Sequence, residues 1–179
     1  MKRTILGLAL ALGLVASSTA QTVSNGPYYA TPSWDQTLPA AQRFIVLANM
    51  GQQAVLDRET GLVWERDPKT AHPVFETAEF GIAVQICPRI TTGGCTGWRL
   101  PSFHELASLA DPTVTGLALP AGHPFLNITP TDYWSATASS GGADSAYAVT
   151  FSSGTAGTLL KTISHGVWCV RGGGPLSIY

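Results

Sequence analysis

Charge is scarce in this sequence. Only 12% of its 179 residues are Asp, Glu, Lys or Arg, and beyond Lys2-Arg3 the basic residues never cluster. That excludes the basic face on which nucleic-acid binding depends. After residue 20 no stretch is long and apolar enough to cross a membrane as a helix. There is no Gly-X-Y period, no CxxC pair and no G-x-S-x-G element. Those absences remove a collagen-like stalk, the usual zinc-finger spacing and the nucleophile elbow of α/β-hydrolases. Cysteine is limited to Cys87, Cys95 and Cys169. If two of them pair, one thiol is left over.

What is present begins with a leader. Lys2 and Arg3 form a positive start, Ile5 to Val15 is an uncharged apolar stretch, and Ser18-Thr19-Ala20 offers small residues for cleavage before Gln21. This is the order of a secretory signal, so residues 1–20 are expected to be removed and the protein exported, to the periplasm or beyond the cell. Loss of Lys2 and Arg3 leaves eight basic residues against eleven acidic ones, a net charge of −3. The remaining chain is long enough for one domain with a real core. The apolar content and the 19 glycines of the full sequence describe a loop-rich globular domain rather than a disordered one. Export makes a disulfide plausible. Zinc is the rival use of the cysteines, but no His stands at ligand spacing from them, and no metal or cofactor is expected.

Residues 21–42, with Pro27, Pro32 and Pro39, read as an extended lead segment, parts of which are expected to pack on the domain through Tyr28, Tyr29 and Trp34. Phe44 to Leu47 is a short β run. Ala54 to Asp57 and Gly61 to Trp64 flank Arg58-Glu59-Thr60 as a hairpin, with Asp57 able to close the turn and Gly61 able to take positive φ. Pro73 to Cys87 is read as a helix with Phe75, Ala78, Ile82, Ala83 and Ile86 on one stripe. Residues 112–131 carry four prolines and read as a long irregular excursion. Four strands close the chain: Tyr133 to Thr137, Ala146 to Phe151, Thr158 to Ile163 and Gly166 to Arg171. A short tail, 175–179, follows.

The most informative run is Gly97-Trp98-Arg99-Leu100-Pro101-Ser102-Phe103-His104-Glu105-Leu106. Ser102 and Glu105 form a capping box, each side chain satisfying an orphan backbone donor at a helix start. Pro101 keeps the preceding chain extended, while Phe103, Leu106, Leu109 and Ala110 fall on one helical face. Trp98, Leu100, Phe103, Leu106, Trp134, Phe151 and Trp168 are expected to be buried in one cluster, and Trp64 is also read as a core residue.

With these segments in place, the chain resembles the C-terminal domain of the bacterial collagen-like adhesin Lcl. The resemblance rests on Asp57 to Trp64, the helix ending at Cys87, Gly97 to Pro101 with Glu105 to Leu109, Gly122-His123-Pro124-Phe125, Tyr133-Trp134-Ser135 and Val167 to Gly173. It spans roughly 43–174. It implies an α+β, C-type-lectin-like fold: two helices packed on a twisted antiparallel sheet with a long irregular loop region. It also implies a bridge between Cys87 and Cys169, with Cys95 extra to the pattern; Cys87–Cys95 is the second choice.

Catalytic constellations are incomplete. His104-Glu105 begins a metalloprotease-like pattern, but the second His is replaced by Ser108 and Glu105 already has a capping role. Formylglycine-generating enzymes share the lectin-like fold, yet their cysteine pair and acidic metal ligands have no visible counterpart. Arg99 and Arg171 are expected to pair with carboxylates such as Glu65 or Glu105. The expected function is therefore a non-enzymatic, adhesion-type binding module for a glycan or a surface protein. The alternative is a structural or assembly subunit of the cell envelope. The ligand surface is assigned to the irregular region, at Leu117, His123, Asn127 and Thr131, because loops on a rigid frame are where recognition is usually placed.

Overall fold

A computed structural model of the chain describes residues 38–72 and 77–173. The leader, Trp34, Pro73, Phe75 and the tail lie outside the described residues, as does most of the lead segment. Its described end, at Pro39, runs into one helical turn, α1 (Ala40–Arg43). The protein is mixed α+β, as expected, with its strands divided between two five-stranded sheets.

The first sheet contains β1 (Phe44–Val46), β2 (Ala54–Asp57), β3 (Val63–Glu65), β5 (Trp98–Arg99) and β10 (Val170–Arg171). Their order is β1-β2-β3-β10-β5, antiparallel throughout. The hairpin read from residues 54–64 is present, with Val55 opposite Trp64. Asp57 closes its turn by accepting from the Glu59 N–H at 3.0 Å. Gly61 takes φ 69°, a left-handed conformation that a side chain would strain.

The second sheet contains β4 (Thr77–Ala78), β6 (Asp132–Ala138), β7 (Ser145–Thr150), β8 (Thr155–Leu160) and β9 (His165–Gly166), in the order β4-β9-β6-β7-β8. All its pairings are antiparallel except β6 with β9, where Tyr133 faces Gly166. Gly166 is required there, because an added Cβ would sit 2.7 Å from the Tyr133 ring. The expected third strand is shifted toward the N-terminus, since β8 pairs in register with β7 from Thr155 and ends at Leu160.

The expected strand Gly166–Arg171 is instead two strands in two sheets, β9 in the second and β10 in the first. Between them Val167, Trp168 and Cys169 cross the interior and are buried. Trp168 anchors the crossing by donating its indole N–H to the Glu65 carbonyl at 2.9 Å.

Four short α segments are present among the described residues: α1, α2 (Pro68–Ala71), α3 (Phe80–Ile86) and α4 (Phe103–Ala107). The helix expected from Pro73 begins only at Phe80, because Thr77 and Ala78 are taken into β4 beside β9. The stripe is correspondingly altered: Ala83 and Ile86 are buried, but Ile82 is exposed. The Ser102–Glu105 capping box is complete, with both reciprocal bonds made.

All the expected core residues are buried apart from Phe103, which is half-buried. They form two clusters rather than one. Trp64, Leu106, Tyr133, Val149, Phe151 and Trp168 belong to the first. Trp98, Leu100, Trp134, Ala148 and Cys169 belong to the second. The division follows from strand alternation: Tyr133 and Trp134, or Ala148 and Val149, are neighbours in sequence and so point to opposite faces of the sheet. α4 covers one face through Phe103 and Tyr147, rings 5.3 Å apart, and α3 covers the other through Phe80 and Trp134 at 5.5 Å.

Cys87 and Cys169 are bonded, with Cα atoms 5.5 Å apart and a sequence separation of 82. The bridge ties the end of α3 to the crossing segment, and in the chain-entropy description a loop of this size stabilises by about 4.5 kcal/mol. Cys95 is a half-buried free thiol.

Candidate binding site

Residues 111–131 contain neither helix nor strand, as the sequence suggested. The segment is nevertheless tied down along its length. Near its start, the Asp111 N–H donates to the Ala118 carbonyl and the Ala118 N–H to Phe151. Leu119 and Phe125 are buried in the first core cluster, where the Phe125 ring meets Trp168 edge-on at 4.9 Å and Phe44 at 5.1 Å. Near its end, the Thr129 N–H donates to the Tyr133 hydroxyl at 3.0 Å.

The middle of the loop is held by the segment that follows β3. The Leu126 N–H donates to the Arg66 carbonyl at 2.7 Å, Arg66 Nε donates to the Pro124 carbonyl at 3.1 Å, and Asn127 Nδ2 donates to Asp67 Oδ2 at 2.8 Å. Asp67 also caps α2 by accepting from the Thr70 N–H. The backbone of Asn127 is left-handed, φ 55°, a conformation that Asn tolerates better than most residues.

Beside this junction lies a cleft of about 630 Å³. Gln52, Gln53, Arg66, Asp67, Arg89 and Thr92 are among the residues that line it, with Leu126 at the loop side. Arg66 is partly engaged by the Gln52 carbonyl, and Arg89 by Gln85 Oε1. Each guanidinium carries five N–H donors, so these contacts leave donors over. The cleft therefore offers amide, hydroxyl and guanidinium groups around a partly apolar floor, a mixture suited to a polyhydroxylated or acidic ligand. A second groove, about 850 Å³, is lined by Leu38, Phe103, Ala107, Pro112 and Pro120 among others, and is more apolar.

The four residues assigned from sequence have different immediate neighbours. Leu117 is half-buried against the first core cluster. His123 stacks on Phe125 at 5.8 Å, and burial lowers the pKa of its ring below the ordinary histidine value. Thr131 is exposed, and its hydroxyl contacts that of Thr129. Asn127 does not line the cleft but is bonded to Asp67, which does. The cleft residues Gln52, Gln53, Arg66 and Arg89 were missed because they come from separate turns and carry no motif.

Residues weighed for chemistry are engaged structurally. Glu105 receives two N–H groups of Arg99, at 2.5 and 2.8 Å, and the Ser102 N–H at 2.7 Å. Burial alone would raise its pKa, but the Arg99 guanidinium and the Ser102 donors outweigh burial and hold the carboxyl below its ordinary value. Arg99 thus pairs as expected. Arg171 pairs with no carboxylate among the described residues; it donates to the Thr96 carbonyl at 2.8 Å. Glu65 is instead bonded to His72, to the Thr92 hydroxyl and to the Cys169 N–H. The Ser135 hydroxyl donates to the Tyr147 carbonyl.

The fold and the site thus define a small, disulfide-linked α+β domain with a pinned surface loop and a polar cleft beside it. The Lcl C-terminal domain model matches residues 53–171, and the chain belongs to that family. No curated protein matches it. None of the helices among the described residues is long and apolar enough to cross a membrane.

Proposed function

We propose that this protein is an exported, non-enzymatic, adhesin-associated recognition module of C-type-lectin-like architecture. Its ligand is a carbohydrate or a surface partner, taken at the irregular segment and the adjoining cleft. The observation that carries the reading is the way residues 111–131 are held. A long segment without regular structure is pinned by Leu119, Phe125, Leu126 and Asn127, and a polar cleft opens along its docked edge. Order in such a loop lowers the entropy lost on binding. Family membership supports the adhesin association, and a disulfide accords with life outside the cytoplasm.

The test is a glycan array probed with the protein and with Arg89→Ala and Asn127→Gly. Both side chains are exposed, and glycine keeps the left-handed backbone of position 127, so the fold should survive their loss. Saturable binding weakened at least tenfold by either change, with thermal melting unaltered, supports the cleft. Binding insensitive to both moves the site elsewhere, and turnover of any bound compound rejects the non-enzymatic reading.

One observation favours assembly as a second role. The edge strand β8 carries no charged residue, and Leu160 and Ile163 near its end are half exposed. Uncharged edges readily pair with another copy. Sizing chromatography of wild type and Leu160→Lys decides this: a concentration-dependent dimer lost in the variant supports it, and a monomer at all concentrations removes it.

A further inference from the structure

Behind the cleft lies a group of side chains that ligand recognition does not use. Glu65 ends β3, His72 follows α2, and Cys169 lies on the crossing segment; all three are buried. His72 Nε2 is 3.2 Å from Glu65 Oε2, and one ring nitrogen of His72, one carboxylate oxygen of Glu65 and Cys169 Sγ all lie within 4.8 Å of one another. Cys169 Sγ is bonded to Cys87 Sγ, so a second sulfur stands one bond away. In this state the group is no metal site, because the thiolate is the ligand form of cysteine and both sulfurs are oxidised. Two thiolates, an imidazole and a carboxylate, however, make a donor set suited to tetrahedral zinc.

We propose that reduction of the Cys87–Cys169 disulfide converts this buried cluster into a site for one Zn²⁺ or a similar borderline-soft divalent cation. Cys87, Cys169, His72 and Glu65 are the ligands. Disulfide and cation are then mutually exclusive occupants of one place. The balance is simple. A dithiol reductant gives two electrons and two protons to the disulfide and leaves as its own disulfide. The cation then displaces the two thiol protons, and His72 coordinates as the neutral ring. The sulfurs must part to about 3.7 Å, the separation set by two Zn–S bonds of about 2.3 Å at a tetrahedral angle.

The surroundings favour the site. The Thr92 hydroxyl donates to Glu65 Oε1 at 2.9 Å and the Cys169 N–H to Oε2 at 3.0 Å, outer contacts that orient a ligating carboxylate. Thr92 also lines the cleft, so the carboxylate is one side chain away from solvent.

The test measures linkage between metal and redox state. The purified protein is equilibrated in thiol–disulfide buffers at fixed free zinc, and thiols are counted by alkylation. The oxidised chain should take up no cation and the reduced chain one. Above the zinc Kd, the reduction midpoint should rise by about 30 mV for each tenfold increase in free zinc. Co²⁺ should give thiolate charge-transfer bands together with tetrahedral d–d bands. His72→Ala and Glu65→Gln should each weaken cation binding tenfold or more while the charge-transfer bands persist. Reduction can itself unfold the chain, so Cys87→Ser provides a second arm, with its fold checked by near-ultraviolet circular dichroism. It keeps Cys169 as a free thiol beside Glu65 and His72, and should bind Co²⁺ with one thiolate. A midpoint independent of zinc overturns the proposal. So does a folded Cys87→Ser protein that binds no cation, or binding unchanged by His72→Ala. The cleft reading is tested on oxidised protein and stands or falls separately.

Discussion

Replacing Arg43 should be among the most damaging single changes in this protein. Its guanidinium is fully buried and joins three parts of the chain. Nε and Nη2 grip Asp57 at 2.9 and 2.8 Å, Nη2 also donates to the Ser108 carbonyl at 2.9 Å, and Nε lies 3.2 Å from Glu59 Oε2. The residue therefore links α1, the β2–β3 turn and the end of α4. Arg43→Ala removes the counter-charge of Asp57, which has no exposure to water and keeps only such contacts as the Glu59 N–H. Breaking a buried pair from one side costs about 3–5 kcal/mol, because the remaining ion is stranded. A whole domain is stable by only about 5–15 kcal/mol, so the loss is a large share. Removing both charges is a different perturbation. Arg43→Met with Asp57→Leu restores apolar volume and removes both members of the Arg43–Asp57 pair, while Glu59 still loses its Arg43 contact, so it should recover part of the loss. The assay is urea unfolding followed by tryptophan fluorescence with the disulfide intact, since Trp64, Trp98, Trp134 and Trp168 are all buried reporters. A fall in midpoint at constant m is the expected signature. A cost below about 1 kcal/mol for Arg43→Ala, or a double variant as unstable as the sum of the singles, would refute the reasoning.

Two further outcomes follow from the packing. Trp168→Ala should destabilise by about 3–5 kcal/mol, because the ring is fully buried against Trp64, Phe125, Tyr133 and Phe151; Leu160→Ala, half exposed, is the control and should stay within about 0.5 kcal/mol. Glu105 supplies a pH dependence. Its folded pKa lies below the ordinary carboxylate value, so its contribution is present above that value and is lost as pH falls through the folded pKa. Glu105→Gln should therefore flatten the acid limb of the stability–pH profile, and an unchanged limb would contradict the assignment.

Much of the local structure was legible in the sequence because its causes are local. The Ser102–Glu105 box needs two side chains three residues apart, the 57–61 turn needs Asp57 and Gly61, and four prolines in residues 112–131 forbid regular structure there. Four buried tryptophans announced the core by size and apolar context alone. The Cys87–Cys169 pairing was expected only through the family resemblance, not from spacing. The cleft was not legible, since Gln52, Arg66 and Arg89 become neighbours only when separate turns converge.

What the sequence determined by itself is therefore the set of short-range choices: where a helix starts, where a hairpin turns, which rings avoid water. Tertiary structure decided the rest. Residues 166–171 read as one strand, yet edges of two different sheets had to be completed, so the chain pairs at His165–Gly166 with one and at Val170–Arg171 with the other. The same crossing sets Cys169 beside Glu65, 104 residues earlier, and sends Trp168 and Cys169 into different core clusters. Such outcomes depend on which distant segments share a hydrogen-bonded ladder, and no window of neighbouring residues carries that information.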